Sequence, residues 1–274
     1  MLRKLLKHEF RATARVMLPL YLITILLALM TRATSLWTEM VTYDNMMGRN
    51  LLAVIAFIIT IGFVLALIAT FVVAVIQAIL RFRSNLMADE GYVMFTLPVS
   101  THSLVWSKLL VSAVWFLGAA VVDTLALVAL TANMEMFSSF ARFWQEVAQQ
   151  LTAYYVGNGV ALILEVLLLF LVSCVVTCLT FYTPLAIGHS FTQHKMLLSV
   201  AFFFAIQVVV QIISGIGLMV SIPGLDTLSV WYNSLTPAGA VHSIMWAGIA
   251  VSAVYAAILY CITIHMLHRR LNLE

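Results

Sequence analysis

Six apolar runs separated by polar breaks organise this chain, at about 16–36, 51–80, 105–131, 157–183, 197–221 and 242–265. Crossing ~30 Å of hydrocarbon as a helix takes about 20 predominantly apolar residues at 1.5 Å each. Every run is long enough, so the pattern predicts an all-α membrane protein with six transmembrane helices. The second run, ~45 Å long as a helix, exceeds the hydrocarbon thickness and is expected to tilt or to project on one side.

The polar breaks carry patterns of their own. Before the first run, Arg3, Lys7, Arg11 and Arg15 repeat every four residues while Leu2, Leu6 and Phe10 fall on a neighbouring stripe. That is the pattern of a basic amphipathic helix over residues 1–15, lying along a membrane surface or orienting insertion, with 16–274 forming the six-span domain. Between the third and fourth runs, Phe137, Phe140, Trp144, Val147, Leu151 and Tyr154 recur at spacings of three and four, with Arg142, Gln145, Glu146 and Gln149 on the other face. This predicts a second amphipathic helix, its aromatics anchored at the opposite interface. From Ile222 to Val241, Pro223, Gly224, Trp231, Tyr232, Pro237 and Gly239 alternate breakers with interfacial aromatics. A short re-entrant or surface-lying hairpin is expected there.

Composition strengthens the assignment to membrane. The chain is 64% hydrophobic and 9% charged, with mean hydropathy +1.08, where soluble domains carry about a quarter charged residues. The net charge of +3 matters less than where each Lys and Arg falls. An even number of spans puts both termini on one side. With the termini inside, eleven basic residues fall inside (Arg3, Lys4, Lys7, Arg11, Arg15, Arg81, Arg83, Lys108, Lys195, Arg269, Arg270) and Arg32, Arg49 and Arg142 lie outside or at the outer edge. The positive-inside rule then predicts a multi-pass protein of the inner (cytoplasmic) membrane with both termini cytoplasmic. The run after Val16 is too long for a secretory h-region and is expected to remain as an uncleaved first span. Cys174, Cys178 and Cys261 all fall in apolar runs, where packing is expected rather than disulfides or metal.

No catalytic or metal motif stands out. The chain contains no G-x-x-x-x-G-K-[ST] phosphate loop, no H-E-x-x-H and no G-x-S-x-G. An enzyme is not expected, no metal or cofactor site is assigned in this chain, and nothing suggests nucleic acid as a partner. His189, His194, His265 and His268 read as interfacial polar residues.

The most informative segment lies between the second and third runs. Asp89-Glu90-Gly91-Tyr92 is followed by Met94-Phe95, then Leu97-Pro98-Val99-Ser100, and Ser107-Lys108-Leu109-Leu110 enters the third run. Met87, Tyr92, Met94 and Phe95 can plug a groove, and Arg81, Arg83, Asp89 and Glu90 can pair across its rim, as in a surface-lying docking helix. Pro98 biases Leu97 towards extended backbone, and Ser100 or Thr101 can cap the helix that follows.

This pattern resembles the permease subunits of ABC-2-type transporters, ATP-driven exporters. In that family an acidic-glycine element, an L-P-V-S-like turn and a lysine lie between the second and third spans. The resemblance implies that Asp89, Glu90, Gly91, Tyr92, Met94 and Phe95 lie in or beside a cytoplasmic coupling helix. It also implies that Pro98 and Ser100 shape the turn and that Lys108 anchors the third span at the inner interface. Pro184 to Lys195 would make a smaller contact, and the 222–241 link would be the family's outer re-entrant segment. The implied partners are two separate ABC ATPase subunits, which would bind ATP and Mg, a second permease copy or homologue, and membrane lipid. The long segment between the third and fourth spans departs from the pattern.

Arg32, Asp123 and Glu165 are ionisable residues at comparable depth within the spans. Such charges usually face one another or a wet cavity, so Arg32 is expected to pair with Asp123 or Glu165, or a carboxylate to face a substrate path. Gln207, Gln211 and Ser214 share one face of the fifth span, for interhelical hydrogen bonds or a path lining. Two other functions stay open: a proton-coupled secondary transporter using Asp123 or Glu165, and a membrane scaffold or sensor.

Overall fold

The computed structural model describes residues 2–40, 46–87, 91–92, 96, 99–131, 142, 145–146, 149, 159–221 and 237–269. Among them, six long helices account for nearly everything: α1 Leu2–Met40, α2 Met46–Met87, α3 Thr101–Thr131, α4 Gly159–Gly188, α5 Lys195–Ser221 and α6 Pro237–Arg269. All six are long and apolar enough to cross a membrane, which marks a multi-pass membrane protein. At 42 residues, α2 is ~63 Å long and does overshoot the hydrocarbon.

Two helices run beyond the boundaries expected of them. Residues 2–15 continue without a break into the rest of α1, a 39-residue helix with Pro19 inside it. Pro237 and Gly239 open α6 rather than ending a hairpin; proline suits the first helical position, where its missing N–H costs nothing. Residues 222–236 of the expected re-entrant segment lie outside the described residues.

The chain divides into two compact units. The first comprises 1–78 and 106–143, the second 79–105 and 144–274. In the first, Ala28 of α1, Phe63 of α2 and Ala126 of α3 form a buried cluster with Leu27, Leu67 and Leu130 around it. Small residues let the helix backbones approach, and Phe63 fills the space between. Glu9 pairs with Lys108, and Ala28 sits with Ala126, so α1 and α3 run parallel. Contacts of Phe71 with Phe116 and Phe63 with Ala126 make α2 antiparallel to α3.

The face α1 buries is not its leucine stripe. Glu9, Thr13, Met17, Tyr21, Thr24, Ala28 and Thr31 are buried, at steps of three and four, while Leu18, Leu22, Leu26 and Leu29 are exposed. Lipid tails are as apolar as leucine, so leucine gains nothing by turning inward, and hydrogen-bonding or small side chains hold the seam instead. Thr24 and Thr31 return their hydroxyls to the carbonyls of Leu20 and Leu27.

The second unit has the same parallel and antiparallel logic. Glu165 meets His242 near the starts of α4 and α6, and Thr183 meets Thr263 towards their ends, so these helices are parallel. Phe181 stacks with Phe203, and Gly188 lies against Ser199, which makes α5 antiparallel to α4. At the end of α2, Phe82 stacks on Tyr182 at 3.9 Å between ring centroids, both fully buried.

Candidate functional site

In the docking segment, Asp89, Glu90, Met94, Phe95 and Pro98 lie outside the described residues. Gly91 and Tyr92 are helical, Gly91 buried and Tyr92 half exposed. Ser100 caps α3 as expected: its Oγ accepts from the Ser103 N–H at 3.3 Å, and its carbonyl accepts from Ser103 at 2.9 Å and Leu104 at 3.2 Å. Met87, expected as a plug, is instead buried at the end of α2. Arg142, Gln145, Glu146 and Gln149, the polar face expected between the third and fourth spans, are helical and exposed; the apolar face of that segment lies outside the described residues.

Lys108 is no headgroup-facing anchor. Its ammonium lies 2.6 Å from Glu9 Oε1, and the two side chains are only 2% and 7% exposed. Next to this pair, Trp115 Nε1 donates to Thr13 Oγ1 at 2.7 Å, Tyr21 donates its phenol to the Trp115 carbonyl at 2.6 Å, and Phe10 stacks on the Trp115 ring at 4.7 Å. Three successive turns of α1 are thereby locked to two turns of α3. Glu9 and Trp115 escaped sequence reasoning because each is unremarkable in its own stretch and acquires its meaning from a partner about a hundred residues away.

Further along the first unit, Asp123 Oδ2 lies 2.8 Å from Thr70 Oγ1, which also lies 2.7 Å from the Leu67 carbonyl. The threonine has one proton to share between them. Asp123 Oδ1 is buried and has no hydrogen-bond partner among the described residues. The expected pairing of Asp123 with Arg32 is therefore replaced by a neutral donor; Arg32 is partly buried on α1.

Glu165, in the second unit, is gripped by His242. Nδ1 lies 2.8 Å from Oε1 and 2.7 Å from Oε2, so the ring proton stands on Nδ1 and is offered to a carboxylate that is 9% exposed. The sequence signal for His242 is present but weak: a histidine within two turns of a helix start, with no partner evident until α4 and α6 are packed. On α5, Gln207 is partly buried and Gln211 and Ser214 are exposed.

The corner after α4 is shorter than the expected Pro184–Lys195 link. Pro184 is buried inside α4, and the connection is 189–194, ending at His194 with a left-handed φ of 55°. His189 is buried rather than interfacial, and its Nδ1–H donates to the Leu185 carbonyl at 2.9 Å. Burial, which outweighs that hydrogen bond, together with the positive charges of Arg83 and Lys195, holds the imidazole below its ordinary value of 6.5. The sign follows from linkage: the unfolded state binds the proton more readily, so the stability His189 contributes is full above 6.5 and is lost as pH falls below it. The thermal unfolding temperature of the detergent-solubilised protein is expected to fall on acidification below that value, and His189→Gln to flatten the dependence. An unchanged pH profile in the variant would remove this role.

Cys174 and Cys178 are buried, as packing predicts, whereas Cys261 is exposed. Among the described residues no group of three or more His, Cys, Asp or Glu is placed to hold a metal ion. Comparison with family models, with curated proteins and with solved structures gives no match for this chain.

Proposed function

We propose that the chain is a permease subunit of an ABC-2-type exporter, forming half of a membrane pathway that separate ATPase subunits drive. The observation that carries this reading is the Asp89–Lys108 segment: acidic, aromatic and proline-containing, and running from beyond α2 into the start of α3, both helices long enough to cross a membrane. Solvated loops seldom carry Tyr, Met and Phe so densely. The overshoot of α2 beyond hydrocarbon thickness supports a docking element clear of the headgroups.

ATP binding by the partners would close them against Asp89–Ser100. Ser100 caps α3, and Lys108 follows two turns later on the same helix, so a push on the cap moves a rigid rod to which α1 is clamped through Glu9. An outward path between two permease copies would then open for a lipid-like, peptide or drug-like molecule.

The test is purification of the tagged chain from its native host in mild detergent, with identification of partners by mass spectrometry. A P-loop ATPase is expected with the parent and is expected to be lost from Asp89→Ala/Glu90→Ala/Tyr92→Ala. Absence of any ATPase from both would sink the reading.

A second reading has one specific observation in its favour. The partly buried Asp123, whose Oδ1 has no hydrogen-bond partner among the described residues, and the Glu165–His242 pair place carboxylates inside the spans, as a proton-coupled transporter needs. Transport would then survive loss of the ATPase and collapse with the proton gradient.

A further inference from the structure

Where α3 begins and α6 ends, the second unit carries a concave site of about 300 Å³ lined by His102, Tyr260, Cys261, Ile264, His265 and His268. From this geometry we infer that the groove binds a phosphate group, carried either by a lipid headgroup or by a soluble phosphate. The inference stands independently of any ATPase partner.

The chemistry of the lining selects an anion. Three of the six residues are histidines and none is a carboxylate, so among the described residues the lining offers ring N–H donors and no anionic side chain. His102 Nδ1 lies 2.8 Å from the Tyr260 phenol oxygen. Where the phenol donates to Nδ1, the ring proton stands on Nε2 and is left as a donor for a ligand. Cys261, His265 and His268 stand at i, i+4 and i+7 on α6 and so share one face of that helix. Donors from two helices thus border one groove. This suits a group with several oxygens better than a group with one.

Size and place agree with that ligand. At ~30 Å³ per water the site has room for about ten waters, enough for a phosphate and part of the alcohol it esterifies. His265 and His268 close the apolar stretch of α6, the level at which headgroups meet hydrocarbon, while Ile264 and the Tyr260 ring provide an apolar wall. Geometry also disfavours a metal, since these side chains do not converge as a ligand set.

Cys261 supplies the readout. It lines the groove and is exposed, whereas Cys174 and Cys178 are buried, so alkylation of the native protein by N-ethylmaleimide reports mainly on position 261. The labelling rate is measured in non-ionic detergent with inorganic phosphate in one arm and phosphatidylglycerol mixed micelles in the other, against micelles containing diacylglycerol. Ligand at about ten times its dissociation constant is expected to slow labelling about tenfold.

Protection by inorganic phosphate assigns a soluble phosphate; protection by phosphatidylglycerol alone assigns a lipid headgroup. His265→Gln/His268→Gln, both at exposed positions, should abolish protection while keeping the unliganded labelling rate of the parent. His102→Gln, on the other helix, should weaken it and controls for any local disturbance of α6. No slowing in either arm, or equal slowing in parent and variants, overturns the proposal.

Discussion

Gly188→Ala is expected to cost about 3 kcal/mol, the upper part of the usual range for overpacking, and to remove most of the monodisperse protein from a detergent extract. A Cβ added at position 188 would stand 2.1 Å from Ser199 Oγ, 2.6 Å from the Ser199 nitrogen and 2.7 Å from its Cα. Two of those three atoms are backbone. They cannot rotate away, so α4 and α5 would have to part at the corner where His189 and Pro184 are buried. The companion variant decides the mechanism. Gly188→Ala/Ser199→Gly deletes the hydroxyl but leaves the backbone where it was, and it should be as unstable as Gly188→Ala alone. Gly215→Ala in the same α5 meets nothing within 4 Å, and there the gain in helix propensity over glycine, about 1 kcal/mol, should appear as unchanged or slightly raised stability. Equal behaviour of the two alanine variants would show that the α4–α5 corner is not closely packed.

Lys108→Met should destabilise the first unit by about 3–5 kcal/mol, because it removes the ammonium that lies 2.6 Å from a Glu9 carboxylate only 7% exposed. The cost comes from the charge left behind, not from the attraction lost. Glu9→Leu/Lys108→Met, which removes both charges and keeps apolar bulk, should therefore return close to the parent. Unfolding by sodium dodecyl sulfate in mixed micelles measures both, and Trp115, stacked on Phe10, the residue next to Glu9, is a fluorescence reporter of this region. If the single variant unfolds with the parent, the ion pair contributes nothing to the seam. On the proposed permease reading, a double variant that is stable yet does not support transport would assign the pair to transmission from α3 to α1 rather than to stability.

These predictions rest on residues of very different legibility. The cap at Ser100 was readable because it is local: a serine beside a proline turn and ahead of an apolar run admits few other uses. The exposed polar face of Arg142, Gln145, Glu146 and Gln149 was readable for the same reason, from periodicity alone. Lys108 was singled out, but in the wrong setting. A lysine at the start of a span commonly reaches for headgroups, and only the return of α1 alongside α3 supplies the carboxylate that lets it be buried. The paired fates of Asp123 and Glu165 were likewise open. Depth along a helix suggested Arg32 as a partner, but depth is one coordinate of three, and the helix rotations that bring Thr70 and His242 into place are not written in hydropathy.

The sequence alone determined the number of membrane-crossing helices among the described residues, their order along the chain and the one strongly polar segment between α2 and α3. All of these follow from transfer of side chains between water and hydrocarbon, which each stretch settles for itself. Tertiary structure decided which face of each helix turns inward, and so which residues form the Glu9–Lys108, Asp123–Thr70 and Glu165–His242 contacts and the histidine groove. In water an apolar stripe identifies the buried face; in a bilayer the apolar stripe is equally content outside, and the inward face is chosen by hydrogen bonds and close packing between helices distant in sequence.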